Sequence, residues 1–249
     1  MDAGTGLALL GSAKLVEKLL GPTFEYLGGE LKTWTEKRVN NVGNIFSNAT
    51  IKLGDKIEIE GAVPPRVLKG ILYEGSFCDD TLTAEYFGGV LASSRSGISR
   101  DDRGAYFIAL ISRLSTYQIR MHYVFYHMVK RLFNGIKPNI YCSDNFDSVC
   151  GHFRISIPLD VYLAAMEFDK QEQKKINVLM EHTLIGLHKE KLLYKQLTRD
   201  NGEYCLFPSQ FGIELFFWAY GKPDLATRDF FDPANQFEIS KEVNINTGI

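Results

Sequence analysis

Hydrophobic positions recur at three- and four-residue steps along most of this chain, which predicts a mainly helical protein. After Gly21-Pro22, Phe24, Leu27, Leu31 and Trp34 fall on one face, and the pattern continues less regularly through Arg38, Val39 and Val42 to Ile45 and Phe46. This is the signature of a long amphipathic helix, weakened at Gly28-Gly29 and Gly43. Asp55 to Gly61 alternates, with Ile57 and Ile59 opposite Lys56, Glu58 and Glu60, as a short strand or an extended linker would. Pro64-Pro65 then opens a helix through Val67, Leu68, Ile71 and Leu72. Three capping boxes follow: Ser76-Phe-Cys-Asp79, Ser99-Arg-Asp-Asp102 and Ser115-Thr-Tyr-Gln118. Each precedes an apolar run with helical spacing, so a set of three packed helices between Ser76 and Phe133 is expected to form the centre of the fold.

Beyond Gly135-Ile-Lys-Pro138 and a polar stretch to Cys150, Phe153, Ile155 and Ile157 alternate as a half-buried strand does, and Pro158 closes it. Asp169-Lys-Gln-Glu172 is a further capping box, whose helix runs through Ile176, Leu179, Met180, Thr183 and Leu184 and is expected to stop at Gly186. Leu192 to Leu197 and Glu203 to Phe207 flank a turn at Thr198 to Gly202 and predict a hairpin. Ser209 starts a last helix with Phe211, Leu215, Phe216 and Ala219, which ends at Gly221 with Pro223 beyond. Helix, helix, hairpin, helix is the order of a winged-helix-like module. The reading is therefore mainly α: an N-terminal apolar segment (1–21), a multi-helix body with short strands (22–135), a C-terminal winged-helix-like module (136–221), and a tail (222–249) lying across the surface or disordered.

Leu20-Gly-Pro followed by the long amphipathic helix, Val63-Pro-Pro-Arg-Val-Leu, Tyr73-Glu-Gly-Ser-Phe-Cys-Asp-Asp-Thr-Leu and the small-residue helix end Val90-Leu-Ala-Ser-Ser resemble the Abi-alpha family. That is a family of bacterial proteins of unknown biochemistry named for abortive infection. The family's next helix, ending in Leu-Ser, is matched by Phe107 to Ser115. Tyr86, Phe87 and Gly88-Gly89 stand where the family places a bulky residue such as Trp and an Ala. The resemblance spans roughly residues 20 to 220, and its motifs are caps and core positions. It implies an anti-phage, abortive-infection setting with no reactive side chain to carry over.

Composition narrows the classes further. With 28 Lys+Arg against 30 Asp+Glu the formal charge is -2, which gives no bulk electrostatic case for coating nucleic acid or membrane. Cys78, Cys142, Cys150 and Cys205 are scattered and without C-x-x-C spacing, and no secretory signal with a cleavage site is read at the start. Free thiols in a reducing cytoplasm are expected. Cys142, Cys150 and His152 lack zinc-ligand spacing, and His122 and His127 lie five apart rather than four. There is no G-x-x-x-x-G-K-[ST] and no G-x-G-x-x-G after a strand, and the acid pairs Asp79-Asp80 and Asp101-Asp102 sit where first helical turns explain them. No metal, cofactor or catalytic constellation is assigned, and the expected mode of action is binding, as sensor or effector, to a host or phage protein.

Three surfaces are candidates for that binding. Lys189, Lys191, Lys195 and Arg199 cluster on and before the hairpin and could meet phosphates or a protein partner. Tyr117, Tyr123, Phe125 and Tyr126 place aromatics on more than one face of a helix, as in the interface of a homo-oligomer. Residues 1–20 are small and apolar but interrupted by Lys14, Glu17 and Lys18. They are read as an amphipathic helix or, alternatively, as a self-associating or membrane-surface segment making peripheral contact with the inner membrane.

Overall fold

The computed structural model describes residues 13–21, 36–98, 100–138, 149, 151–195, 198–200, 203–238 and 240. It is mainly helical, with helices α1 (Ala13–Leu20), α2 (Glu36–Leu53), α3 (Pro65–Tyr73), α4 (Thr81–Ser93), α5 (Gly104–Ile111) and α6 (Thr116–Leu132). Strand β1 (Ile155–Pro158), α7 (Leu159–Met166), α8 (Ile176–Lys189), β2 (Thr198–Asp200), β3 (Glu203–Leu206) and α9 (Gln210–Ala219) follow. The chain divides into two compact units, residues 1–113 with 217–223, and residues 114–216 with 224–249. The third helix of the expected central set, α6, thus belongs to the second unit, ahead of the 136–221 stretch read as the C-terminal module.

In the first unit α2 packs along α4. Val39, Val42, Ile45, Phe46 and Ala49 of α2 are buried, and α4 is buried almost all round, from Leu82 to Ser93. Two glycines allow that closeness: a Cβ on Gly88 would fall 2.5 Å from Asn48 Cβ, and one on Gly89 would fall 1.9 Å from the carbonyl oxygen of Ala219. The end of α9 is fixed against α4 by Ser93 Oγ, which donates to the Trp218 carbonyl at 2.9 Å. Trp218 stacks on Phe107 of α5 with ring centroids 4.8 Å apart. A bulkier residue at either glycine would have to displace neighbouring backbone.

Several expectations change here. Ser76 does not cap a helix: it is buried in a 3₁₀ turn (Gly75–Phe77), its oxygen donates to the Tyr73 carbonyl and accepts from Arg38, and Asp80 caps α4 instead by accepting the Thr83 N–H at 2.8 Å. Ser99 lies outside the described residues, and α5 begins at Gly104 rather than after Ser99. The alternating stretch around Ile57 is a 3₁₀ turn (Gly54–Glu58) and not a strand. Arg95 explains it, because its guanidinium donates to the carbonyls of Lys56, Ile57 and Ile59, which curls the segment around one side chain. The expected helix from Pro22 falls on undescribed residues as far as 35; its continuation, α2, runs past Phe46 to Leu53.

The second unit opens with the capping box that the sequence predicts: Ser115 Oγ accepts the Gln118 N–H while Gln118 Oε1 accepts the Ser115 N–H at 2.8 Å. Strand order is β1-β3-β2, all antiparallel, with Ile157 opposite Tyr204 and Thr198 opposite Cys205. Gly186 does not end its helix. It lies inside α8, where a Cβ would fall 1.8 Å from Gln118 Nε2, so it is there to let α8 approach α6. The left-handed backbone that ends the element is at Lys191, φ 58°. Within the stretch read as a surface tail, Phe230 and Phe231 are fully buried in a 3₁₀ turn (Thr227–Phe231), and Phe231 stacks on Phe153 at 4.6 Å. Aromatic area of this kind cannot stay in water when a partner face is at hand.

The two close approaches make a direct prediction. Gly89→Ala is expected to destabilise the protein by about 1–3 kcal/mol, the usual cost of overpacking a close-packed interior. Chemical denaturation of the two proteins checks it, and an unchanged midpoint would show that α4 and the end of α9 are not held this close.

Candidate functional site

The four basic residues singled out on sequence end up around the C-terminus of α8 and the hairpin. Lys189 is exposed in the last turn of α8, and Lys191 is exposed just beyond it. Lys191 is held by its own backbone, whose carbonyl accepts a 2.6 Å hydrogen bond from Ser209 Oγ. Lys195 is also exposed and lies over two rings, with Nζ 5.3 Å from the Phe207 centroid and 5.9 Å from that of Tyr194. Arg199 is in β2 opposite Tyr204, and its side chain is outside the described residues.

What positions these lysines is a polar junction under them. Tyr126 of α6 is fully buried; its hydroxyl donates to the Leu192 carbonyl at 2.7 Å and accepts the Ser209 N–H at 3.0 Å. Ser209 Oγ in turn accepts the Gly212 N–H at 2.9 Å, which caps α9. One phenol thereby fixes the chain leaving α8 and the chain entering α9. His122 lies one turn earlier on α6, and its Nε2 meets the Gly212 carbonyl at 3.0 Å. A carbonyl can only accept, so the neutral ring carries its proton on Nε2. Burial lowers the pKa of both His122 and His127 to about 3.

These contacts correct the reading of the aromatic helix as an oligomer surface. Tyr123, Phe125 and Tyr126 are 2% exposed or less within one chain, so they have no area to offer a second copy. Tyr117 is half-buried, hydrogen-bonded to Glu172 and packed on Phe168. The aromatics cover several faces because α6 is enclosed by its own unit.

The outward face of α8 was not singled out by its sequence. Of the expected stripe, Met180, Thr183 and Leu184 are buried and Ile176 and Leu179 are half-buried; Leu187, expected beyond the helix, is buried within it. Val178 and Ile185 fall outside that stripe and remain 67% and 48% exposed. Glu181 is exposed between them, and Lys174 and Lys175 are exposed in the 3₁₀ turn before the helix. The signal was available: two β-branched residues out of phase with the core stripe lower helix propensity and gain no burial.

The N-terminal segment resolves in part. Residues 1–12 lie outside the described residues. From Ala13 onward the apolar face is used in folding: Val16, Leu19 and Leu20 are 2% exposed or less, Lys18 pairs with Glu58 at 2.6 Å, and Arg95 Nε donates to the Lys18 carbonyl at 3.1 Å. The cleft beside it, about 580 Å³, is lined by both charge signs, including Lys14, Glu17, Glu60 and Arg95. Among the described residues no helix is long and apolar enough to cross a membrane.

Each acid of the two pairs has a structural partner. Asp79 pairs with Lys37 at 2.8 Å, Asp80 caps α4, Asp101 pairs with Arg103 at 2.8 Å and Asp102 with Arg66 at 3.0 Å. Burial pushes the Cys78 thiol up to about 11, which keeps it protonated at neutral pH and unsuited to act as a nucleophile. Cys205 is buried, and Cys142 and Cys150 lie outside the described residues. Among the described residues no group of three or more His, Cys, Asp or Glu is arranged to hold a metal ion. No family model, curated protein or solved structure matches the chain.

Two predictions follow from the junction and its histidines. Tyr126→Phe removes a hydroxyl that serves a buried N–H and a buried carbonyl, and is expected to cost about 1–3 kcal/mol in denaturant unfolding. Both histidines are neutral when folded and take up protons more readily when unfolded. Their contribution is complete above pH about 6.5 and is lost as pH falls toward about 3. Stability measured between pH 6.5 and 4.5 should fall by about 1 kcal/mol per pH unit for each of them. His127→Phe should flatten that slope, and an unchanged slope would exclude His127 as a source.

Proposed function

We propose that this chain acts by binding a protein partner through the outward face of α8, in the anti-phage, abortive-infection setting that its resemblance to the Abi-alpha family implies. The second unit is read as winged-helix-like: α6, β1, α7, α8 and the β2–β3 hairpin run in that order, and the sheet order β1-β3-β2 is the arrangement a wing requires. In such a module the helix before the wing, here α8, is the one held out to a ligand. The observation that carries the reading is the composition of that face. Val178 and Ile185 are apolar and Glu181 is acidic, a combination that suits a protein surface better than base edges and phosphates.

A second reading, a DNA-binding regulator, draws on Lys189, Lys191 and Lys195, which could neutralise phosphates from the end of α8. Glu181 in the middle of the face opposes it. Membrane action through residues 1–20 loses support over 13–20, where Val16, Leu19 and Leu20 are spent on the core.

The test is a phage challenge with the full chain, a Val178→Glu, Ile185→Glu variant and a Lys191→Glu, Lys195→Glu variant, alongside DNA mobility shifts at two salt concentrations. Loss of protection in the first variant, with its unfolding midpoint retained and no DNA shift in any protein, is the expected result. Protection that survives in it overturns binding through α8. A salt-sensitive shift abolished by the lysine changes would establish the DNA reading instead.

A further inference from the structure

Resting on that reading, we propose a partner class for α8: an amphipathic helix that carries two apolar residues seven apart, acidic side chains at both ends and a basic one near its middle. Val178 and Ile185 are seven residues apart, two turns, and so stand about 10.5 Å apart on one side of the helix. Glu181 and His182 both lie between them on that side and are exposed, His182 with its Nε2 3.2 Å from Ser115 Oγ at the start of α6. The exposed strip is therefore an apolar pair with one acid and one histidine between its members. Seven-residue spacing of apolar knobs is what a crossing helix receives in its own holes.

Charge at the two ends decides what that helix can be. Lys174 and Lys175 are exposed before the strip, and Lys189, Lys191 and Lys195 are exposed after it. The hydrogen bond from Lys174 to Gln171 Oε1, at 2.9 Å, leaves its charge uncompensated by that partner. A second copy of the same face fits badly. Antiparallel pairing about the point midway between Glu181 and His182 would bring Val178 against the other copy's Ile185 but would also set Lys174 against the other copy's Lys189. Parallel pairing would set each lysine beside its own equivalent. Like charges facing each other at both ends penalise either arrangement, whereas acids there would gain from both. A nucleic-acid duplex would gain at the ends and lose at Glu181, without apolar surface for Val178 and Ile185.

Two synthetic helical peptides serve as probes, each with leucines seven apart. One has glutamates at both ends and a lysine at the centre, and the other has these charges reversed. Fluorescence anisotropy with the full chain should show the acid-ended peptide bound at least tenfold more tightly. Lys174→Glu, Lys175→Glu, Lys189→Glu combined should invert the preference, and Val178→Asp with Ile185→Asp should abolish binding of both. All of these positions are on the surface, and an unchanged unfolding midpoint shows that each variant is folded. Equal binding of the two peptides, no binding of either, or a preference that survives the charge reversal overturns the partner class. If that happens while Val178→Glu, Ile185→Glu still abolishes phage protection, binding through α8 stands and the class of partner is wrong. If protection also survives, both fall. Vesicles with anionic headgroups are run in parallel; α8-dependent binding to them in place of the acid-ended peptide would also overturn the proposal.

Discussion

The second unit depends on the hydroxyl of Tyr126. It answers two backbone groups that are distant from it in the chain, the carbonyl of Leu192 and the N–H of Ser209. Buried backbone groups must be paired, and neither of these lies in a helix or a strand. A phenol suits the task because its rigid ring reaches across the core while its oxygen both donates and accepts. Held from below in this way, the segment Lys189 to Lys195 keeps Leu192 and Leu193 buried and Lys189, Lys191 and Lys195 exposed, with a left-handed residue at Lys191. The orientation of α8 and the start of the hairpin follow from the same anchor.

Local signals were legible where the side chain that makes them keeps an acceptor for the helix N–H whatever its other contacts. Ser115 and Gln118 form their reciprocal cap, Pro65 starts α3, and Ser209 caps α9 as the spacing predicts. The Ser76 box has the same spelling and fails because Arg38 and the Tyr73 carbonyl take its oxygen, while Asp80, four residues later, has a charged acceptor free for the Thr83 N–H. The stretch around Ile57 reads as a strand by alternation and curls because Arg95, far along the chain, gathers its carbonyls. Gly186 was a plausible stop signal whose true reason is the side chain of Gln118. In each case a partner remote in sequence takes part, Arg38 for Ser76, Arg95 for the Ile57 stretch and Gln118 for Gly186, and periodicity carries no information about it.

The candidate site was legible in the same uneven way. The lysines around the hairpin were visible as a run of charge, and they do lie on the surface. The aromatic content of α6 was also visible, but its meaning turned on burial: an all-round aromatic helix is equally what an enclosed central helix and an interface helix look like. Phe230 and Phe231 complete that enclosure from a stretch that polar residues and a proline made look like a tail. Val178 and Ile185 were hidden by a different effect. The helix packs through the stripe of Met180, Thr183, Leu184 and Leu187, and Val178 and Ile185 are out of phase with it.

That out-of-phase pair is the part of α8 that folding does not explain. A helix needs one apolar side to pack, and β-branched residues on its wet side weaken it. Most exposed apolar side chains need no explanation, since every protein surface is half apolar. Val178 and Ile185 differ in being aligned along one helix, separated by two turns, and bracketed by lysines with an acid between them. Scattered exposure would leave no register, whereas this arrangement has one, and register is the property by which one helix selects another.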